Sequence, residues 1–252
     1  MSNAQNLPVL PLRGTVIFPG VTVPIAAGRP ATLRAIDAAM KADGLVFAVA
    51  QRENVDEPAG EHLYSMGVIA RIGQFQRGLG GVQLLLQGEA RGQALRYQSE
   101  NGYLNAEVAQ VAEMQPVDRN DRAFAALARE TRERAMELGE ARGLPEEVLH
   151  NVMDNVTEPG AFADLVAGYV ELPVGEKQEL LETLAVEERM RRVLVHVQRQ
   201  LGMLQAQAQI KSQVQEELGE RQREMYLREQ LKTIQKELGD EDANQDVKEL
   251  RE

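Results

Sequence analysis

Apolar positions along this chain follow one rhythm up to Pro116 and another after it. Before Pro116 they fall in short β-branched and aliphatic runs separated by Gly, Pro and polar clusters, the pattern of strands and turns. After it they recur every three or four residues on a background of Glu, Gln, Arg and Ala, the pattern of amphipathic helices. The spacing predicts an α+β chain, with a small mostly-β barrel or curled sheet followed by an all-α part that ends in a long projecting helix.

Leu7–Leu12 carries Pro8 and Pro11 in an apolar run, and proline cannot donate to a ladder, so the segment is expected at an edge or as an irregular extended strand. Thr15–Ile25 repeats the theme with Pro19-Gly20 as a turn. Pro30 suits a first helical turn, Leu33, Ile36 and Met40 share a face, and Gly44 lies past the end, predicting a short helix over 29–42. The continuous apolar run Leu45–Gln51 reads as a central strand. Met66–Phe75 and Gly81–Ala90 are two strands around the Gly-rich tip 77–81, and Arg91–Ser99 and Gly102–Val111 are two more.

Residues 117–141 are helical in period, with Asp118 or Asn120 able to cap the first turn and Gly143 near the end. Pro145 and Pro159 each start a short helix. From Gly175 to Leu238 there is no proline, and the run reads as helix almost throughout. Val186, Met190, Leu194, Val197, Leu201, Leu204 and Ala208 form one stripe, and Leu227, Leu231, Ile234 and Leu238 form a second, offset one. One continuous helix from Glu188 to Leu238 measures about 75 Å at ~1.5 Å per residue; the alternative is two helices broken at Gly202 or Gly219. After Leu238 the acidic run has no apolar period, so the helix is expected to stop there. The resulting divisions are a polar tail 1–6, a β subdomain 7–116, a helical subdomain 117–185, an arm 186–239 and an acidic linker 240–252.

Charge changes this picture by disfavouring non-specific binding of nucleic acid. The net charge of −11 divides into −1 up to Pro116, from 9 basic and 10 acidic residues, and −10 beyond it, from 19 basic and 29 acidic. Neither part has the basic excess that phosphate neutralisation requires. The absence of Cys removes disulfides and thiolate metal sites. No run is long and apolar enough to span a membrane, and a cytoplasmic location is expected.

No catalytic constellation stands out. Ser2, Ser65, Ser99 and Ser212 lie outside any nucleophile elbow, and His62, His150 and His196 are scattered. His150 and Asp154 are one helical turn apart, a spacing better read as a surface hydrogen bond than a metal site, and there is no Gly-Lys dipeptide for a phosphate loop. No catalytic, metal or cofactor-binding residue is assigned. What remains is surplus apolar surface: Ile17, Phe18, Pro19 and Val21 around a turn, Leu79 at a hairpin tip, and Met225, Tyr226 and Leu227 on the helix. At about 100° per residue, three consecutive large side chains cannot all face one partner. These eight residues are the candidates for protein contact.

LPVLPLRGTVIFPG at Leu7–Gly20, VAQRE at Val49–Glu53, GEKQELLE at Gly175–Glu182 and QREMYLREQLKTIQKELGD at Gln222–Asp240 closely resemble the amino-terminal region of Lon, the ATP-dependent bacterial protease. The resemblance spans nearly the whole chain. It implies a PUA-like β subdomain, a helical subdomain and a long helix leading towards AAA+ ATPase and serine-lysine peptidase modules that this sequence does not contain. ATP and Mg²⁺ then belong to the ATPase module, and no hydrolysis is expected here. The family's intact protein is a hexameric ring that unfolds damaged or tagged proteins, which implies unfolded or degron-bearing proteins as partners and a homo-oligomeric assembly, with this stretch alone a monomer or weak dimer. Two alternatives stay open: a purely structural spacer and oligomerisation element, and a nucleic-acid-binding PUA-like module.

Overall fold

Proline decides how the first strand is used. The computed structural model describes residues 4–78, 81–118 and 121–249, with side chains up to Lys236. Strand β1 (Gln5–Leu12) is an interior strand despite Pro8 and Pro11. Its register splits, with Gln5–Pro8 antiparallel to β6 (Tyr103–Gln110) and Val9–Leu12 parallel to β3 (Leu45–Ala50). Each half is laddered on one side, so each proline can turn its missing N–H away from its ladder. The expected edge position is thus replaced by two half-edges within an interior strand.

The sheet order is β2–β5–β4–β3–β1–β6, where β2 is Thr22–Ala27, β4 is Met66–Gly78 and β5 is Gly81–Glu100. Because β6 also pairs with β5, the sheet closes into a barrel, and β2 is left as an edge strand with Pro24 in its middle. That proline blunts an otherwise open ladder. Leu7, Val9, Phe47, Val49, Ile69 and Val108 fill the barrel, and β3 is buried from Val46 to Ala50, as its uninterrupted apolar run demands.

β5 is a single strand, so Gly81–Ala90 and Arg91–Ser99 are not separate elements. The glycines that resemble a break are points of close approach: a Cβ on Gly88 would lie 2.3 Å from the Phe18 carbonyl oxygen, and one on Gly92 2.6 Å from Val108. Helix α1 (Pro30–Lys41) starts on Pro30 and buries Thr32, Ala35, Ile36 and Ala39. The buried face therefore sets Ile36 among small residues, with Leu33 half-buried and Met40 exposed.

The second half is helical: α2 (Arg122–Ala141), α3 (Glu146–Asn155), α4 (Pro159–Tyr169), α5 (Val174–Glu182) and α6 (Val186–Glu249). The α2 cap is Asp121, whose carboxylate accepts from the Ala123 N–H at 3.2 Å, and not Asp118; Asn120 lies outside the described residues. Pro145 is the N-cap of α3 and not its first turn. The run from Gly175 is interrupted at 183–185, where Met114 N donates to the Leu184 carbonyl at 3.0 Å and Val186 N donates to the Met114 carbonyl at 3.1 Å. A tertiary strand-like contact satisfies this backbone in place of helix, which local propensity could not foretell. α6 passes through Gly202 and Gly219 without a break, and it continues beyond Gly239 to Glu249 through acidic residues and helix formers with no proline.

The chain comprises two units, Met1–Gln200 and Leu201–Glu252. In the first, Val186, Met190, Val193 and Val197 of α6 are buried and Leu194 is half-buried. In the second, every described side chain from Gly202 to Lys236 is exposed except half-buried Leu204, so the first stripe fades before Ala208.

The first unit is knitted by four buried or half-buried charges. Arg91 of β5 donates from Nη1 and Nη2 to the two carboxylate oxygens of Asp164 on α4, both at 2.6 Å, and from Nε to the Leu181 carbonyl at 2.9 Å. Arg189 of α6 places Nε 3.0 Å from Asp164 Oδ1, without the alignment of a hydrogen bond, and donates from Nη1 to the Thr183 carbonyl at 2.8 Å and from Nη2 to Glu113. Burial pushes the Asp164 carboxyl above its ordinary range, while Arg91 and then Arg189 pull it back. Two guanidiniums against two carboxylates leave no net charge. Asp164→Ala would leave two buried cations to share the half-buried Glu113 carboxylate, and we expect it to lower unfolding stability by about 3–5 kcal/mol, read as the urea midpoint. An unchanged midpoint would contradict the assignment.

Candidate functional site

The eight sequence candidates separate by burial. Ile17, Phe18 and Val21 are core residues, exposed by 2%, 0% and 4%, and are corrected from surface to interior. Pro19 is half-buried. The physical reason lies in the turn itself. Val21 N donates to the Phe18 carbonyl at 3.2 Å with Gly20 at φ 75, a type II geometry that glycine allows. Gly20 N then donates to the Gly88 carbonyl at 2.9 Å, and Gly88 N returns to the Val21 carbonyl at 3.0 Å, folding the turn onto β5. Val21 faces Gly168 of α4, where an added Cβ would come within 3.3 Å of its methyls. The turn joins barrel to helices and leaves only Pro19 and Gly20 at the surface, with no large apolar side chain open.

Leu79 lies outside the described residues. Met225, Tyr226 and Leu227 are exposed by 72%, 61% and 50%, and Leu231 and Ile234 of the second stripe are open as well. Tyr226 Oη accepts from Gln230 Nε2 at 2.8 Å, one turn on, so the ring is steered along the helix. Leu238 has no described side chain.

A second apolar surface lies in the first unit, and the sequence reading missed it. Between Ile72↔Leu86 and Phe75↔Leu84 the β4–β5 register slips, because β4 supplies Gly73 and Gln74 where β5 supplies only Leu85. This bulge puts Phe75 opposite Leu84, and Phe75 stays 44% exposed. A groove of about 690 Å³ opens there, and the residues around it include Pro24, Met40, Phe75, Leu84 and Leu85. The signal in the sequence was a lone Phe within Gly-Gln-Phe-Gln-Arg-Gly, where a hairpin should turn polar. Ion pairs flank this sheet region: Arg77 Nη2 to Asp37 and Arg71 Nε to Glu89, both at 2.5 Å.

His62 and His150 are engaged locally, whereas the buried Nδ1 of His196 on α6 makes no hydrogen bond among the described residues and lies near Glu176 of α5. His62 Nδ1 accepts from Ala59 N at 3.0 Å, His150 Nδ1 is 3.0 Å from the Glu146 carbonyl, and His196 Nδ1 is 3.5 Å from Glu176. Among the described residues, no helix is long and apolar enough to cross a membrane.

A family model described as the ATP-dependent protease La (LON) substrate-binding domain matches residues 6–199. The chain is 49% identical over 245 residues to Lon protease 1 of Sorangium cellulosum, covering 96% of this chain and 30% of that protein. It is 36% identical over 252 residues to Lon protease 2 of Thermus thermophilus, covering 98% and 31% respectively. The chain therefore spans about a third of the length of these relatives. Among solved structures, the N terminal domain of Mycobacterium avium complex Lon protease is similar at 31% identity and TM-score 0.63, covering 77% of this chain and 98% of that one. The Lon N-terminal domain protein from Xanthomonas campestris, at 18% identity and TM-score 0.54 over 76% of this chain and 98% of that one, shares the fold.

Burial predicts opposite behaviour for the two groups of candidates. Phe18→Ala should destabilise by about 3–5 kcal/mol, whereas Met225→Ser should stay within about 0.5 kcal/mol, both read by urea unfolding. Comparable effects of the two substitutions would refute the placement.

Proposed function

The chain belongs to the Lon substrate-binding domain family, and from that premise we propose that it captures unfolded, damaged or degron-bearing proteins for a Lon-type ATP-dependent serine protease. The observation that carries this reading is the open apolar surface in each unit: Met40 and Phe75 in the first, Met225, Tyr226 and Leu227 in the second. Native proteins bury such side chains and unfolded ones display them, so apolar-to-apolar contact sorts one from the other. Each contact is small, and repetition of the domain in a homo-oligomer, a hexamer by family resemblance, raises the effective concentration of the remaining sites once one has bound. ATP and Mg²⁺ act outside these residues, and the setting is cytoplasmic.

A second reading has its own support. Leu227, Leu231 and Ile234 keep coiled-coil spacing and are about half exposed, which suits an assembly role for α6. Both readings concern protein partners.

The test is binding of a permanently unfolded probe, reduced and carboxymethylated α-lactalbumin, against its native form, followed by fluorescence anisotropy. Capture predicts saturable binding of the unfolded probe and at least tenfold weaker binding of the native one. Equal affinity for both forms, or none for either, would overturn the proposal.

A further inference from the structure

A second cavity in the first unit differs in chemistry from the β4–β5 groove. It is bounded by the end of β1, by β2 and by the start of α1, and its volume of about 400 Å³ falls within the ~300–1,000 Å³ of sites that hold small molecules. Leu10 and Leu12, two residues apart and so on one face of β1, line it together with Ile25 and Leu84, which oppose each other across the β2–β5 ladder. The charged residues of the lining are Arg13, Arg29 and Asp56. Two cations against one carboxylate leave one positive charge without a counter-charge.

Arg29 Nη2 donates to the Pro11 carbonyl at 2.6 Å, and its Nη1 donates to the Asp56 carbonyl at 3.4 Å. Arg13 Nη2 donates to Asp56 Oδ1 at 2.7 Å and to the Val55 carbonyl at 2.9 Å. These bonds fix both guanidiniums without using all their donors. Among the described residues, Nε of Arg29 and both Nε and Nη1 of Arg13 make no hydrogen bond. Burial and, after it, the like charge of Arg13 pull the Arg29 guanidinium below its ordinary range, with Asp56 acting the other way. A cation short of both water and counter-charge is stabilised by an anion beside it.

We propose that this cavity binds a monocarboxylate that carries an apolar group, the carboxylate accepting from the unused N–H groups of Arg13 and Arg29 and the apolar group lying against Leu10, Leu12, Ile25 and Leu84. The balance of charge selects a single negative charge: a monoanion brings the lining to neutrality, whereas a phosphate dianion would overshoot it next to the Asp56 carboxylate. The planar guanidinium matches a planar carboxylate in shape as well as in charge. Two sources share this chemistry, the free carboxyl end of a polypeptide with an apolar last residue and a small carboxylic acid. The ligand differs from the apolar side chains of the capture reading, so either proposal can fail without the other.

The experiment uses the full chain and a ten-residue peptide of Gly and Ser ending in Leu, labelled with fluorescein at its amino end and read by anisotropy. The peptide is made with a free carboxylate and with a carboxamide. The acid should bind saturably and the amide at least tenfold more weakly. Arg13→Gln and Arg29→Gln should each weaken the acid tenfold or more. Asp56→Asn, which removes the competing carboxylate, should tighten it at least threefold. Arg34→Gln, on the same helix but donating to the Gly102 carbonyl and outside the lining, should leave it unchanged. Circular dichroism and the urea midpoint establish that each variant is folded, and the Arg13 side chain is 45% exposed, so its variant tests the site even if Arg29→Gln does not fold. Unlabelled peptide, N-acetyl-leucine and inorganic phosphate serve as competitors. Displacement by N-acetyl-leucine at the concentration that the peptide needs assigns the site to small acids, and displacement by the peptide at tenfold lower concentration assigns it to chain ends; either result upholds it. No binding of the acid, equal binding of acid and amide, or parent-like binding by Arg13→Gln, Arg29→Gln or Asp56→Asn overturns the proposal. So does an equal loss in Arg34→Gln, or stronger displacement by phosphate than by the peptide.

Discussion

The carboxylate of Asp164 is the point on which the first unit turns. It sits on α4, is engaged in both oxygens by Arg91 of the barrel wall, and lies against Arg189 at the start of α6. No two of these three residues belong to the same element, so the network makes barrel, short helices and α6 mutually dependent. Buried ion pairs add little to stability over apolar packing, but removing one partner is severe, because the remaining charge has no water to return to. Such a network acts as a registry device. Few arrangements of these helices satisfy Arg91, Asp164, Arg189 and Glu113 together, and the arrangement that does so also lets Val21 pack against Gly168.

This rigidity bears on function through what it leaves outside. The turn at Ile17–Val21 is spent on holding barrel to helices. The β4–β5 hairpin is in the same unit but escapes that packing, because its bulge breaks the in–out alternation of β4 after Ile72. Large apolar side chains there remain open on a scaffold that does not have to rearrange to expose them. α6 beyond Gly202 presents apolar residues by a different route, since a lone helix has no second layer to bury them against.

Much of this was legible in the sequence. The change of apolar rhythm near Pro116 separates barrel from helices, the Leu45–Gln51 run marks the central strand, and the proline-initiated helices α1 and α4 start where expected. Apart from the helix end, which local helix formers carry past Gly239, the errors share one physical cause, tertiary contact overriding local pattern. Two prolines in β1 signal an edge only if a strand has one partner throughout, and here the partner changes at mid-strand. Gly88 and Gly92 read as a strand break until Phe18 and Val108 are seen pressing on them. The turn residues Ile17, Phe18 and Val21 looked surplus because the surface that covers them, β5 and α4, is 70 to 150 residues away in sequence. The groove at Phe75 depends on a register slip, and no periodicity argument in a single strand reveals what its neighbour does. Arg91 and Arg189 looked like two charges among many, since neither has its partner nearby in the chain.

Hydrogen exchange of the chain with and without saturating unfolded α-lactalbumin tests the central claim most directly, because it locates contact without altering a residue. The account predicts added protection at Gly73–Gln76 and Gln83–Leu85, with none at the already buried Ile17–Val21 turn. Protection absent from the hairpin while the client is bound would contradict it.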